Sequence, residues 1–177
     1  MPRLFTAIEI PGEVAGALAA TRGGIGGARW IDLEDYHITL RFIGDVDART
    51  ADEIADDLRG VRCPALKIEF EGLSWFGGDK PRAIVAKIKL SPALTGLQSE
   101  HERRMRRVGL PPETRNFLPH VTLARLRSSS AVAVADYLGS RGVLDAPVYK
   151  AQRFVLYSAK DSIGGGPYIV EAAYPMR

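Results

Sequence analysis

His37-Ile38-Thr39-Leu40 and His120-Val121-Thr122-Leu123 write one pattern twice: histidine, apolar residue, threonine, leucine. The two copies start 83 residues apart (120 − 37) in a chain of 177. Each lies in a run of β-branched and apolar residues, the signature of a strand. Residues i and i+2 of a strand share one face, so each histidine points the same way as its threonine. Ile38, Leu40 and Phe42 take the opposite face in the first copy, and Val121 and Leu123 do so in the second. Each polar pair thus gains an apolar backing. A spacing near half the chain length predicts two related halves, each offering one His-Thr pair to a shared site.

Two imidazoles from opposite sides of a cleft suit displacement at phosphorus, which needs a base on the attacking oxygen and an acid on the departing one, roughly in line. An unperturbed pKa of about 6.5 lets one ring be neutral while its partner is protonated. The threonine hydroxyls can donate to the non-bridging phosphate oxygens as charge grows on them. Zinc would want three or four ligands; threonine is a poor one, and neither motif has a nearby cysteine or a His/carboxylate ligand spacing. The reading is therefore metal-free. No serine sits in a Gly-x-Ser-x-Gly elbow, and Cys63 has no histidine near it in sequence, so a covalent nucleophile is not indicated.

A chain of this length predicts one domain over residues 1–177, built as two closely packed lobes without a linker. The net charge of +3 leans toward anionic partners and permits a nucleic acid. A single cysteine excludes an internal disulfide, and Cys63 reads as inert and semi-buried. No apolar run approaches the roughly 20 residues that span a bilayer. Met1 to Phe5 pass straight into an apolar strand without a signal-peptide pattern, so a cytoplasmic protein with no membrane partner is expected.

Strand patterns cover 4–10, 66–73, 82–90, 148–157 and 168–174 besides the two motifs. Helical patterns begin at Pro11, Asp47, Ser91 and Ser128. Asp47 caps a helix with Ala51, Ile54, Ala55 and Leu58 inward and Gly60 as its stop. Ser91-Pro92 opens a helix whose stripe of Leu94, Leu97, Met105 and Val108 places His101 on or beside the packed face. Glu100 with Arg104, and Glu102 with Arg106, form i,i+4 pairs. The cluster Arg103, Arg104, Arg106 and Arg107 reads as a paired, solvated surface rather than an RNA contact. Gly23 to Gly27 lack the Lys-Ser/Thr ending of a phosphate loop and read as a flexible loop; Gly164-Gly165-Gly166-Pro167 marks a turn. The order β-α-β-α-β-β then α-β-α-β-β predicts an α+β fold. Two pseudo-symmetric lobes, each a small, mostly antiparallel sheet with outer helices, would face each other across a central cleft.

The same residues carry a resemblance. The two motifs, Arg3-Leu4-Phe5-Thr6-Ala7-Ile8, Leu40-Arg41-Phe42-Ile43-Gly44, Phe117 to Arg125, Leu156-Tyr157-Ser158 and Gly166-Pro167-Tyr168 resemble the RNA 2',3'-cyclic phosphodiesterases. These are also called 2'-5' RNA ligases, of the two-histidine phosphoesterase superfamily. The resemblance implies a hydrolase without cofactor or metal that opens an RNA-terminal 2',3'-cyclic phosphate to a 2'-phosphomonoester, reversible as 2'-5' ligation. It implies His120 as the base that activates water, His37 as the acid on the departing 3'-oxygen, and Thr39 and Thr122 on the phosphate. The expected partner is RNA with a cyclic phosphate end, tRNA fragments among the candidates, bound by a monomer. Arg125 matches the family's phosphate-binding arginine. Strict alternation sends it to the face opposite His120, so the strand must end or bulge there, or Arg125 is a surface charge. By the same parity Arg41 shares the His37 face and is a second phosphate candidate. Phe5, Phe42, Trp75, Phe76 and Tyr168 are candidates to stack on the base, Phe42 being discounted for its apolar face. Two alternatives remain: the same chemistry on small cyclic nucleotides, and an RNA-binding module without catalysis.

Overall fold

The computed structural model describes residues 3–141, 143–159 and 166–177. In chain order the elements are β1 (Arg3–Glu9), α1 (Gly12–Ala19), β2 (Ala28–Trp30), β3 (His37–Asp45), α2 (Ala48–Leu58), β4 (Leu66–Ile68), β5 (Phe70–Phe76), β6 (Ala83–Ile88), α3 (Pro92–Arg107), β7 (His120–Leu126), α4 (Ala131–Arg141), β8 (Tyr149–Ala151), β9 (Arg153–Ser158) and β10 (Ile169–Pro175). Both motifs open strands, β3 and β7. The helices start where their caps predict: Asp47 accepts the Thr50 N–H at 2.7 Å and Ser91 accepts that of Leu94 at 3.1 Å. The expected runs 66–73 and 148–157 each break in two, because their leading parts, β4 and β8, leave the main sheet and pair with each other. Strand β2, three residues long, is too short to show a pattern in the sequence. Of the expected turn at 164–167, Gly164 and Gly165 lie outside the described residues.

The main sheet is antiparallel, in the order β10-β9-β1-β3-β7-β6-β5, with β2 also alongside β7. It consists of the two half-sheets the duplication predicts, and they share one edge. That edge is a single residue pair, Ile38 with Val121. Both side chains are wholly buried, within a core where helices cover one side of the sheet. Ile54 and Leu58 of α2, Leu94, Leu97 and Met105 of α3, and Val134 and Tyr137 of α4 pack there. Each buried Leu or Ile contributes about 2 kcal/mol. Among the described residues no helix is long and apolar enough to cross a membrane.

Alternation fails at the same place in both motif strands. Against β1, Thr39 pairs with Ala7 and Arg41 with Thr6, leaving Leu40 as an extra residue. Against β6, Thr122 pairs with Val85 and Ala124 with Ile84, leaving Leu123 extra. Each leucine forms a β-bulge that reverses the facing of the next residues, Arg41 and Phe42 in β3 and Ala124 to Leu126 in β7; in β3 a second irregularity follows at Ile43. Arg41 therefore does not share the His37 face. It is 7% exposed on the helix side, where its Nε donates to Glu102 at 2.6 Å and its guanidinium also reaches the carbonyls of Phe42 and Pro111. Glu102 consequently pairs with Arg41, and the expected Glu102–Arg106 pair is replaced. Phe42 turns to the His37 face instead and is 43% exposed. The remaining cluster is largely paired: Arg103 and Arg104 with Glu100, and Arg104 and Arg107 with Asp57.

His101 is fully buried against Phe154, ring centroids 4.6 Å apart, with Nδ1 at 2.8 Å from the Thr6 hydroxyl. Burial pushes its pKa down to about 3. The unfolded chain takes up this proton near pH 6.5 and the folded chain does not, so stability is lost as pH falls from about 6.5 toward 3. The slope reaches at most about 1.4 kcal/mol per pH unit. Urea unfolding at pH 7 and pH 4.5 should show this loss, and His101→Gln should reduce it, leaving the part contributed by His37 and His120. Replacing Arg41 with alanine strands the Glu102 carboxylate and should cost about 3 kcal/mol in the same assay.

Candidate active site

The two motif histidines are held alike. His37 Nδ1 donates to the Asp35 carbonyl oxygen at 2.9 Å, and His120 Nδ1 donates to the Leu118 carbonyl oxygen at 2.6 Å. A carbonyl only accepts, so the proton of each neutral ring sits on Nδ1 and Nε2 is left with its lone pair. His37 Nε2 accepts from the Thr39 hydroxyl at 3.1 Å. Because Ile38 and Val121 pair with side chains in the core, the residues on either side of them project to the helix-free face. The strands are antiparallel, so His37 stands toward Thr122 and Thr39 toward His120. The four polar groups surround one backbone pairing with approximate twofold symmetry.

Their surroundings are not symmetric. His37 is enclosed by Phe5 and Tyr168, with centroids 5.0 and 5.1 Å away, and by Tyr157 at 5.9 Å. Burial therefore pushes its pKa down to about 4, against the Asp35 hydrogen bond and with help from charge on His120 and Arg125. His120 meets one ring, Phe76, edge to face at 4.7 Å. Its pKa is lowered as well, by burial first and by Arg125. Both imidazoles are thus neutral at pH 7 without ligand. The buried Asp35 carboxyl, its pKa raised by burial, accepts the Tyr168 N–H at 3.3 Å. Asp35 therefore holds His37 by its carbonyl and the covering Tyr168 by its side chain.

The bulge at Leu123 turns Arg125, exposed, onto the face of His120 and Thr122. Its equivalent in the first copy is Phe42. Antiparallel β3 and β7 carry these two residues to opposite ends of this face, one cationic and one aromatic. His37, His120, Thr39, Thr122 and Arg125 are brought to one face, and Arg41 is not. Trp75 packs against the core, while Phe5 and Tyr168 line His37. Phe42 is the residue that sequence parity misplaced; the bulge implied for Arg125, copied into the first motif, would have found it. Among the described residues no three His, Cys, Asp or Glu side chains form a group able to hold a metal ion.

An NMR titration of the ligand-free protein should find the His37 imidazole ionising near pH 4 and His120 below 6.5. Both midpoints should rise when a 2'-nucleotide is added, because an anion favours the imidazolium. No rise in either would mean that the phosphate does not lie between them.

A protein-family model described as LigT like Phosphoesterase matches residues 8–85 and 88–167. An RNA 2',3'-cyclic phosphodiesterase of Aeropyrum pernix is 38% identical over 101 residues, which is 56% of this chain and 57% of that protein. One from Aquifex aeolicus is 26% identical over 82% of this chain and 81% of its own. Among solved structures, apo LigT of E. coli superposes with a TM-score of 0.79 at 22% identity, covering 99% of this chain and 98% of that one. A Thermus thermophilus protein gives 0.80 at 21%, with the same coverage. At these identities the likeness is one of fold.

Proposed function

The chain belongs to the LigT-like phosphoesterase family, and we propose that its cleft hydrolyses the 2',3'-cyclic phosphate at the end of an RNA to a 2'-phosphomonoester, by two-histidine acid-base catalysis without a metal. The observation that carries this reading is the pair of Nδ1-anchored imidazoles flanking one strand pairing, each with a threonine beside it. It is supported by the names of the curated relatives, RNA 2',3'-cyclic phosphodiesterases, and by E. coli LigT having been solved with 3'-AMP and with phosphate.

In the forward direction His120 Nε2 removes a proton from water, whose oxygen bonds to phosphorus. The P–O3' bond breaks with its electron pair on O3', and His37 Nε2 supplies the proton. The phosphate remains on O2'. His37 must therefore be protonated in the complex, although burial holds it near pKa 4 when the cleft is empty. The anionic substrate supplies the compensating charge. Protonation also ends the hydrogen bond in which Nε2 accepts from Thr39, which frees that hydroxyl to donate to a phosphate oxygen. Thr122 and Arg125 take the other oxygens. In the ligation direction the two histidines exchange roles. Phe42 offers its exposed face to the terminal base. The quartet comes from one chain, which supports action as a monomer on cyclic-phosphate RNA ends, tRNA fragments among them.

Assay of an RNA oligonucleotide ending in 2',3'-cyclic phosphate should yield a 2'-phosphate product at a rate unchanged by EDTA. His37→Ala and His120→Ala should each lower kcat by roughly 10²- to 10⁴-fold while retaining the native circular dichroism spectrum. Full activity in either variant would end this reading. Phe42→Ala should raise KM about tenfold with a smaller change in kcat.

A further inference from the structure

Strand pairing places a second arginine beside Arg125. β2 lies along β7 with Arg29 directly opposite Arg125, between the pairs Ala28 with Leu126 and Trp30 with Ala124. Facing residues of antiparallel strands share a side of the sheet. Trp30 packs against Tyr137 in the core, ring centroids 5.9 Å apart, so Arg29 projects the other way, onto the cleft face, and it is exposed. A guanidinium at each of two facing positions makes this part of the face cationic.

Resting on the cyclic phosphodiesterase reading, we propose that Arg29, the cross-strand neighbour of Arg125, forms a subsite for the phosphodiester on the 5' side of the terminal nucleotide, and so makes the enzyme prefer an RNA chain to a free nucleoside cyclic phosphate. The reacting phosphate lies at the histidine quartet, and Arg125 is the cation on that face whose charge reaches both rings. Arg29 stands on the strand beside Arg125, at the end of the face away from Phe42. With the terminal base toward Phe42, the sugar-phosphate backbone leaves toward the arginines, and the next phosphate arrives where Arg29 stands. A planar guanidinium binds such a phosphate through two parallel hydrogen bonds. A nucleoside 2',3'-cyclic phosphate has no group to put there.

The test compares an RNA oligonucleotide ending in 2',3'-cyclic phosphate with adenosine 2',3'-cyclic phosphate, the latter with and without a 5'-phosphate. Wild-type enzyme should favour the 5'-phosphorylated nucleotide over the plain one. In Arg29→Ala the ratio of kcat/KM for the oligonucleotide to that for plain adenosine cyclic phosphate should fall about tenfold, and Arg29→Lys should recover part of it. The slope of log kcat/KM for the oligonucleotide against log salt should become shallower by about 0.7. Arg29→Gln serves in place of the alanine variant if the latter does not fold. A ratio unchanged within twofold, or an equal drop on both substrates, would overturn the subsite while leaving the activity standing. A wild-type enzyme inactive on every substrate would remove the parent reading and the subsite with it.

Discussion

One backbone pairing, Ile38 with Val121, governs the arrangement of this protein. Both side chains are driven into the core by their apolar character, and strict alternation then leaves His37, Thr39, His120 and Thr122 no choice but the opposite face. The helices gather on the apolar side and leave the polar side uncovered by them. Hydrophobic burial is thus what aims the reactive groups. A slip of one residue in either strand would bury an imidazole and expose an aliphatic side chain.

Local chemistry then separates two histidines that the backbone treats as equivalent. Each spends its Nδ1 proton on a carbonyl two residues before it, which orients the ring and presents Nε2. Aromatic rings close around His37, whereas His120 meets one ring among the described residues. The deeper ring is the harder to charge without ligand, so the difference between the two histidines lies in packing and not in the motifs.

Much of this was legible from residue patterns because it is local. The His-Thr pairing on one face depends only on i,i+2 geometry, and the caps at Asp47 and Ser91 depend on three or four residues. The bulges were not legible, since Leu40 and Leu123 are apolar and buried whether or not the strand alternates through them. Arg41 and Phe42 were therefore assigned to each other's faces. Arg125 exposed the problem, because its role required a break in parity that nothing local displayed. Glu102 was missed for another reason: its partner Arg41 lies 61 residues away, beyond any helical spacing.

The duplication also carries an ambiguity that the protein resolves outside the quartet. A ligand entering end for end would meet the same two rings and the same two hydroxyls, in the same antiparallel relation. Along the two motif strands the fifth residue after each histidine breaks the symmetry of this face, phenylalanine at one end and arginine at the other, beyond the unequal ring packing around His37 and His120. A single surplus leucine in each half is thus what brings two unlike side chains to the two ends of a nearly symmetric face, and exchanging Phe42 with Arg125 would reverse that asymmetry without touching the His-Thr quartet.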